Sequence, residues 1–196
     1  MEYFQSARVN ILTKENCDDA SLIVRIRKGD QTAMKELVER YKIKAYYLAL
    51  GMVGNKDEAF DISQEAFIRV YKAAGKFKPD RRFFPWFYSI IANLCKDCLK
   101  RREKWDSRQI DIDDNDFLLV AETNPEKIIL KKETARNIRK AIMRLDFSSR
   151  EIIMLKHFRD LSYDRIAEIL KIPKGTVMSR LYYARRKLAE ILSEYE

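Results

Sequence analysis

The run Asp111-Ile112-Asp113-Asp114-Asn115-Asp116 restricts the fold of this chain more than any other stretch, because it sets four carboxylates within six residues and shows no helical period. Such a segment reads as a linker whose like charges favour extension. The charge balance turns over at the same place. Residues 1–102 carry 20 basic and 13 acidic side chains, residues 103–125 carry 2 and 7, and residues 126–196 carry 17 and 10. The net +9 of the 196-residue chain is thus two basic blocks around an acidic connector, and a domain is expected on each side. An acidic connector is most often nothing more than a solvated spacer, so by itself it names no partner.

The blocks are long enough to bury cores, since 46% of the chain is hydrophobic. They read as helices, with no convincing strand. Asp30 after Gly29 can cap a helix from about Gln31 to Met52, ended by the stretch from Gly51 to Asn55. A second runs from about Lys56 to Ala74 and stops at Gly75. A third starts near Phe83, with Pro85 in its first turn, and continues to about Lys104. Past the connector, Asn124-Pro125-Glu126 opens a helix to about Leu145, and the Ser148-x-x-Glu151 spacing of a capping box opens the next. Cys17 is expected to precede the first domain helix. The expected fold is all-α: a tail (1–17), a helical domain (18–104), an acidic linker (105–123) and a second helical domain (124–196).

Several function classes are disfavoured. Five glycines and no GxxxxGK(S/T) or GxGxxG pattern argue against a nucleotide enzyme, and one His with no HExxH removes most zinc and His-base chemistry. No cofactor or metal is expected. The longest apolar runs fall far short of the roughly 20 residues that span a bilayer, and the N-terminus lacks a signal-peptide layout, so a cytoplasmic protein with no integral membrane segment is expected. Three cysteines make an odd count for a disulfide framework. Cys95-Lys96-Asp97-Cys98 is a CxxC, but it lies inside a helix without a second ligand pair, and Cys98 falls on the buried stripe, which favours packing.

The positive signals are two. Leu161 to Leu188 reads as a helix-turn-helix: Ser162 caps a short helix with Ile166, Ile169 and Leu170 inward, and Lys171-Ile172-Pro173 interrupts it. A second helix follows with Val177, Leu181, Ala184 and Leu188 as its buried stripe. Its open face offers Lys174, Thr176, Met178, Ser179, Arg180, Tyr182, Tyr183 and Arg186, a polar-then-basic order suited to base edges and phosphates in the major groove. The plain alternative is an amphipathic helix with a solvated basic face.

The other signal lies in the first block. Asp57, Asp61 and Glu65 recur every four residues, with Gln64 beside them, making one acidic face that suits a positively charged partner or simply faces water. Aromatic and basic residues then interleave from Lys76 to Tyr88, as single-stranded nucleic acid binding requires. Phe87, Ile91, Leu94 and Cys98 share a stripe, so most of these rings are expected in the core. The loop with Phe77, Lys78, Arg81, Arg82 and Phe84, and the face with Ser89, Asn93, Lys96, Lys100 and Arg101, are then the candidates for DNA contact.

Leu161-Ser162-Tyr163, Ile166-Ala167-Glu168, Gly175-Thr176-Val177 and Ser179-Arg180-Leu181 resemble the minus-35-binding domain of extracytoplasmic-function (ECF) bacterial sigma factors. The segment Asp61-Ile62-Ser63-Gln64-Glu65-Ala66-Phe67, followed by Phe83, Trp86 to Tyr88, Ile90, Asn93, Asp97 and Lys100-Arg101-Arg102, resembles the same family's core-polymerase-binding and minus-10-binding domain. Met178 and Tyr183 depart from the basic residues usual in the family, as do Phe84-Pro85 and Ile91-Ala92 from its usual pattern. The resemblance implies that Asp61, Gln64 and Glu65 bind the clamp helices of core RNA polymerase. It also implies that the Phe77 to Phe84 loop and the following helix hold the melted minus-10 strand, and that the linker threads into the polymerase. The implied partners are core RNA polymerase, promoter DNA and an anti-sigma factor, with no bond chemistry of the chain's own. The competing reading is a helix-turn-helix regulator that works without polymerase; a nucleic-acid-modifying enzyme is a distant third.

Overall fold

The computed structural model describes residues 16–105, 125–158 and 161–195. Among them are eight α-helices and no strand: α1 (Asn16–Arg27), α2 (Gln31–Val53), α3 (Lys56–Ala73), α4 (Phe83–Trp105), α5 (Pro125–Met143), α6 (Phe147–Ile153), α7 (Tyr163–Leu170) and α8 (Lys174–Leu192). They fall into two compact units. Residues 16–50 and 57–105 belong to one, and residues 51–56 together with 125–158 and 161–195 belong to the other. The linker expected at 105–123 lies outside the described residues apart from Trp105, as does the expected tail before Asn16.

In the first unit α2, α3 and α4 lie where the periodicity puts them, and α1 is an addition. It begins at Asn16, inside the segment that the sequence assigns to the tail, so Cys17 is within the first helix rather than ahead of it. A tight turn with Gly29 at φ 89° joins α1 to α2, a backbone that suits glycine. Asp30 then caps α2: its carboxylate accepts from the N–H groups of Thr32 (2.9 Å) and Ala33 (3.1 Å). The Thr32 hydroxyl, the Ala33 N–H and Arg25 hold the Asp30 carboxyl far below the usual carboxylate range.

Leu22, Ile23 and Ile26 of α1 pack into a core with Leu37, Tyr41 and Leu48 of α2, Ala66, Phe67 and Val70 of α3, and Phe83, Phe87 and Ile91 of α4. Asp19 is buried among them. Its carboxylate accepts from the Tyr41 hydroxyl (2.5 Å) and the Arg40 guanidinium (3.1 Å), so the charge is paired rather than stranded. Tyr41 in turn stacks edge-on with Phe83 (5.0 Å) and Phe87 (5.7 Å), which ties α1 and α2 to the aromatic start of α4.

The second unit wraps α5, α6 and α7 against α8. The cap of α6 is not Ser148: the helix begins at Phe147, and Asp146 accepts from the Ser149 N–H (3.0 Å) and hydroxyl (2.7 Å). Burial pushes the Asp146 carboxyl up, but the two Ser149 bonds and nearby Lys187 outweigh it and leave the carboxyl below its ordinary value. Arg150 is buried and donates to the carbonyls of Met143 (2.7 Å) and Leu145 (2.9 Å), satisfying carbonyls at the buried C-terminal end of α5.

The helix-turn-helix forms as its local chemistry dictates. Ser162 caps α7 by accepting from the Arg165 N–H (3.3 Å), and Ile166 and Ile169 turn inward. The break itself is made one residue earlier than the Pro rule suggests. Lys171 takes a left-handed conformation at φ 54°, and the Ile172 N–H reaches back to the Ala167 carbonyl at 3.1 Å. Pro173 then leads into α8, whose Val177, Leu181 and Ala184 are buried.

Candidate functional site

Three surfaces hold the residues singled out from the sequence. On α3, Asp57, Asp61 and Gln64 are exposed, and Glu65 is half-buried and ion-paired with Arg69 one turn on at 3.0 Å. The helix turns its Ala59, Ile62, Ala66, Phe67 and Val70 inward, which leaves the acidic face outward. Sequence reasoning missed the border of that face. Phe60 (56% exposed), Ile68 (46%) and Tyr71 (55%) line up with Gln64 at a helical spacing and form an apolar stripe along one side of the carboxylates. Apolar area flanked by charge is what a protein-docking face offers.

The second surface is built by the end of α3, the 77–82 loop and the first half of α4. Phe77 and Phe84 do not stand out as free stacking platforms: both are buried, Phe77 against Phe83 and Trp86, and Phe84 against Tyr41 and Tyr88. Their apolar area is worth more in the core than in water, and the neighbouring rings supply the partners. Lys78, Arg81 and Arg82 remain exposed on a turn closed by the Arg81 N–H to the Lys78 carbonyl (2.9 Å). Along α4, Asn93, Lys96, Lys100 and Arg101 are exposed, while Ser89 is half-buried and its hydroxyl donates to the Trp86 carbonyl (2.7 Å).

Beside this face runs an open groove of about 310 Å³ lined by Arg69, Lys72, Ala73, Lys76, Trp86 and Ile90. Three cations around a half-buried indole suit an unstacked base and its phosphates. Of the three cations only Lys76 figures in the sequence reading, as the start of the aromatic and basic segment; Arg69 and Lys72 do not. The signal was available in their spacing, since Arg69, Lys72 and Lys76 recur on one side of the α3 end, toward Trp86.

The third surface is the open side of α8. Thr176 is half-buried, and Met178, Ser179, Arg180, Tyr182, Tyr183 and Arg186 are exposed together with Lys174. Several of the polar groups are held within the unit: Lys174 pairs with Asp164 (2.9 Å), the Ser179 hydroxyl donates to the Thr176 carbonyl (3.1 Å), and Arg186 pairs with Glu190 (3.1 Å). These are exposed contacts that water or phosphate can replace at little cost.

Cys95 and Cys98 are both buried on α4 and not joined in a disulfide, and burial, reinforced by the Glu58 carboxylate, pushes the Cys98 thiol up. That disfavours the thiolate that redox or metal chemistry needs. Among the described residues no helix is long and apolar enough to cross a membrane.

The arrangement therefore offers an acidic and apolar face on α3, a groove lined by three cations and an indole, and an open polar and basic face on α8. Residues 37–105 match the family model for Sigma-70 region 2, and residues 135–188 that for Sigma-70 region 4. The chain is 35% identical to the ECF RNA polymerase sigma factor SigW of Bacillus subtilis over 178 residues, covering 88% of this chain and 95% of the relative. It is 34% identical to the RNA polymerase sigma-H factor of Pseudomonas aeruginosa (93% and 96% covered) and to the ECF RNA polymerase sigma-E factor of Escherichia coli K12 (89% and 94%). Its fold is shared with CnrH, solved in complex with the cytosolic domain of CnrY, at a TM-score of 0.68 and 23% identity over 91% of this chain and 99% of that one. The sigma factor RpoE of Bartonella quintana, solved with the anti-sigma factor NepR, has the same fold at a TM-score of 0.64 and 20% identity, over 81% and 96%.

Proposed function

The chain belongs to the ECF family of RNA polymerase sigma factors, and from that membership we propose that it binds core RNA polymerase, recognises the minus-35 and minus-10 promoter elements and opens the start site. The observation that carries this reading is the presence, in one chain and in this order, of matches to Sigma-70 region 2 over residues 37–105 and Sigma-70 region 4 over residues 135–188. A duplex-only regulator needs α8 but has no use for the acidic face of α3 or for the groove at Trp86.

In this account residues 18–104 form the core-polymerase and minus-10 domain, residues 124–196 the minus-35 domain, and residues 105–123 the acidic connector between them. Asp57, Asp61, Gln64 and Glu65, with Phe60, Ile68 and Tyr71, dock on the polymerase. Lys78, Arg81 and Arg82 of the loop, with Asn93, Lys96, Lys100 and Arg101 of α4, track the non-template strand, and the groove around Trp86 takes part of it. Holding a base out of its stack draws on binding energy to melt the duplex. Bond chemistry is left to the polymerase, which places the protein in the cytoplasm as a regulator rather than an enzyme. Two structural relatives were solved with partners, the cytosolic domain of CnrY and the anti-sigma factor NepR, and an anti-sigma partner is proposed for this chain as well.

The duplex-reading part is tested with core polymerase loaded with the full chain and promoter duplexes selected by that complex. Arg180→Ala is expected to weaken binding roughly 5- to 150-fold, the range for one base-reading side chain. Unchanged promoter selection by the variant removes Arg180 from the reading face.

A further inference from the structure

Building on α8 as the duplex-facing helix, we propose that this chain reads thymine C5 methyl groups in its minus-35 element through an apolar flank formed by Met178 and Tyr182. The open face of α8 is divided lengthwise. One flank carries Thr176, Arg180 and Tyr183, and the other carries Met178 and Tyr182 one turn apart, 53% and 62% exposed. Between them lie Gly175, where an added Cβ meets nothing within 4 Å, and Ser179, whose hydroxyl is turned back to the Thr176 carbonyl. Over these first turns the middle is small and lets both flanks approach a groove floor closely; two turns beyond, Arg186 continues the middle line and Arg185 the Met178 and Tyr182 flank, both exposed and within reach of phosphates. The Tyr182 ring is set edge-on against the exposed Tyr183 at 5.4 Å, which limits its freedom before any partner arrives.

Exposed apolar area on a reading helix gains most from a partner that offers apolar area in return. In the major groove only thymine does so, through its methyl group; the other three bases present donors and acceptors alone. Charge decides the class of partner. The same helix carries Arg180, Arg185, Arg186 and Lys187, all exposed, which suits phosphates on either side of a groove and not an apolar protein surface. Met178 has no donor at all, so the position cannot select guanine by a bidentate bond as a basic residue would. The consequence is a minus-35 element selected in part by methyl groups.

The test uses the full chain bound to core polymerase. Duplexes are first selected from a library randomised across the minus-35 element, and each selected thymine is then replaced by deoxyuridine, which lacks only the methyl. At one or two positions the exchange should weaken binding about fourfold, the equivalent of one buried methyl. Met178→Ala and Tyr182→Ala should each bring the thymine-to-deoxyuridine ratio toward unity at one of those positions, while Met178→Leu keeps it. Three results overturn the proposal: equal binding of thymine and deoxyuridine duplexes at every position; equal loss on both duplexes in the Ala variants; or unchanged DNA binding in variants that instead lose a protein partner. If the complex selects no duplex, the reading of α8 falls together with this proposal, a result distinct from selection that ignores the methyl.

Discussion

Glu65→Lys is expected to weaken capture of core RNA polymerase by about 30-fold or more, the lower end of what disrupting a desolvated charge pair at an interface costs. Glu65 sits on the α3 face with Asp61 and Gln64, beside the apolar stripe of Phe60, Ile68 and Tyr71. The reversal adds a second cation next to Arg69, its present ion-pair partner, yet both side chains are more than two-fifths exposed. The fold should therefore lose only about 0.5 kcal/mol. The measurement is a titration of labelled core polymerase with the full chain, run beside duplex binding by the same variant. Polymerase binding should fall while duplex binding persists. Equal loss of both, or of neither, removes Glu65 from the docking face.

Phe87→Ala has the larger effect on stability. The Phe87 ring is fully buried and is enclosed by Tyr41 (5.7 Å), Phe67 (5.1 Å) and Phe83 (5.2 Å), contributed by three different helices. Deleting it removes the contact that joins α2, α3 and α4, at a cost of about 3–5 kcal/mol. For a unit of this size that lowers the melting midpoint by roughly 12 °C or more. Both tryptophans of the chain, Trp86 and Trp105, belong to α4, so tryptophan fluorescence follows this unit specifically. A shift under about 4 °C would mean that the aromatic cluster is not the keystone of the unit.

What the sequence revealed, and what it did not, divides along the range of the interactions involved. Helices α2, α3 and α4 and the helix-turn-helix were legible because their stripes, caps and glycine stops are local, each fixed by residues within a few turns. Cys98 was correctly placed on the buried stripe of α4 for the same reason. α1 was not legible, because Asp18, Asp19, Arg25 and Arg27 break up its apolar pattern. The reason Asp19 can be buried lies more than 20 residues away, in Arg40 and Tyr41. The α6 cap was misassigned because Asp146 and Ser148 are both competent caps, and the extended backbone at Asp146 decides between them.

The functional faces show the same split. Most charged and polar candidates on α3, α4 and α8 are outward as their spacing demands, with Glu65, Ser89 and Thr176 half-buried. The aromatics are not separable by spacing alone. Phe77 and Phe84 are buried although they flank the basic loop, whereas Phe60 and Tyr71 are exposed although apolar residues usually lie inside. Each outcome depends on which neighbouring helix happens to cover the residue. The groove at Trp86 needs two helices to exist, so its cations Arg69, Lys72 and Lys76 carry meaning only once α3 and α4 are side by side.

The central claim is that this chain makes core polymerase open a promoter, and permanganate probing of the minus-10 region tests it most directly. Core polymerase loaded with the full chain should make unpaired thymines of the non-template strand reactive on a promoter selected from the native genome, and should yield a defined run-off transcript. Core polymerase alone should do neither. A complex that protects the duplex around the minus-35 element but leaves every minus-10 thymine unreactive, with no transcript, would contradict the account and describe a helix-turn-helix regulator instead.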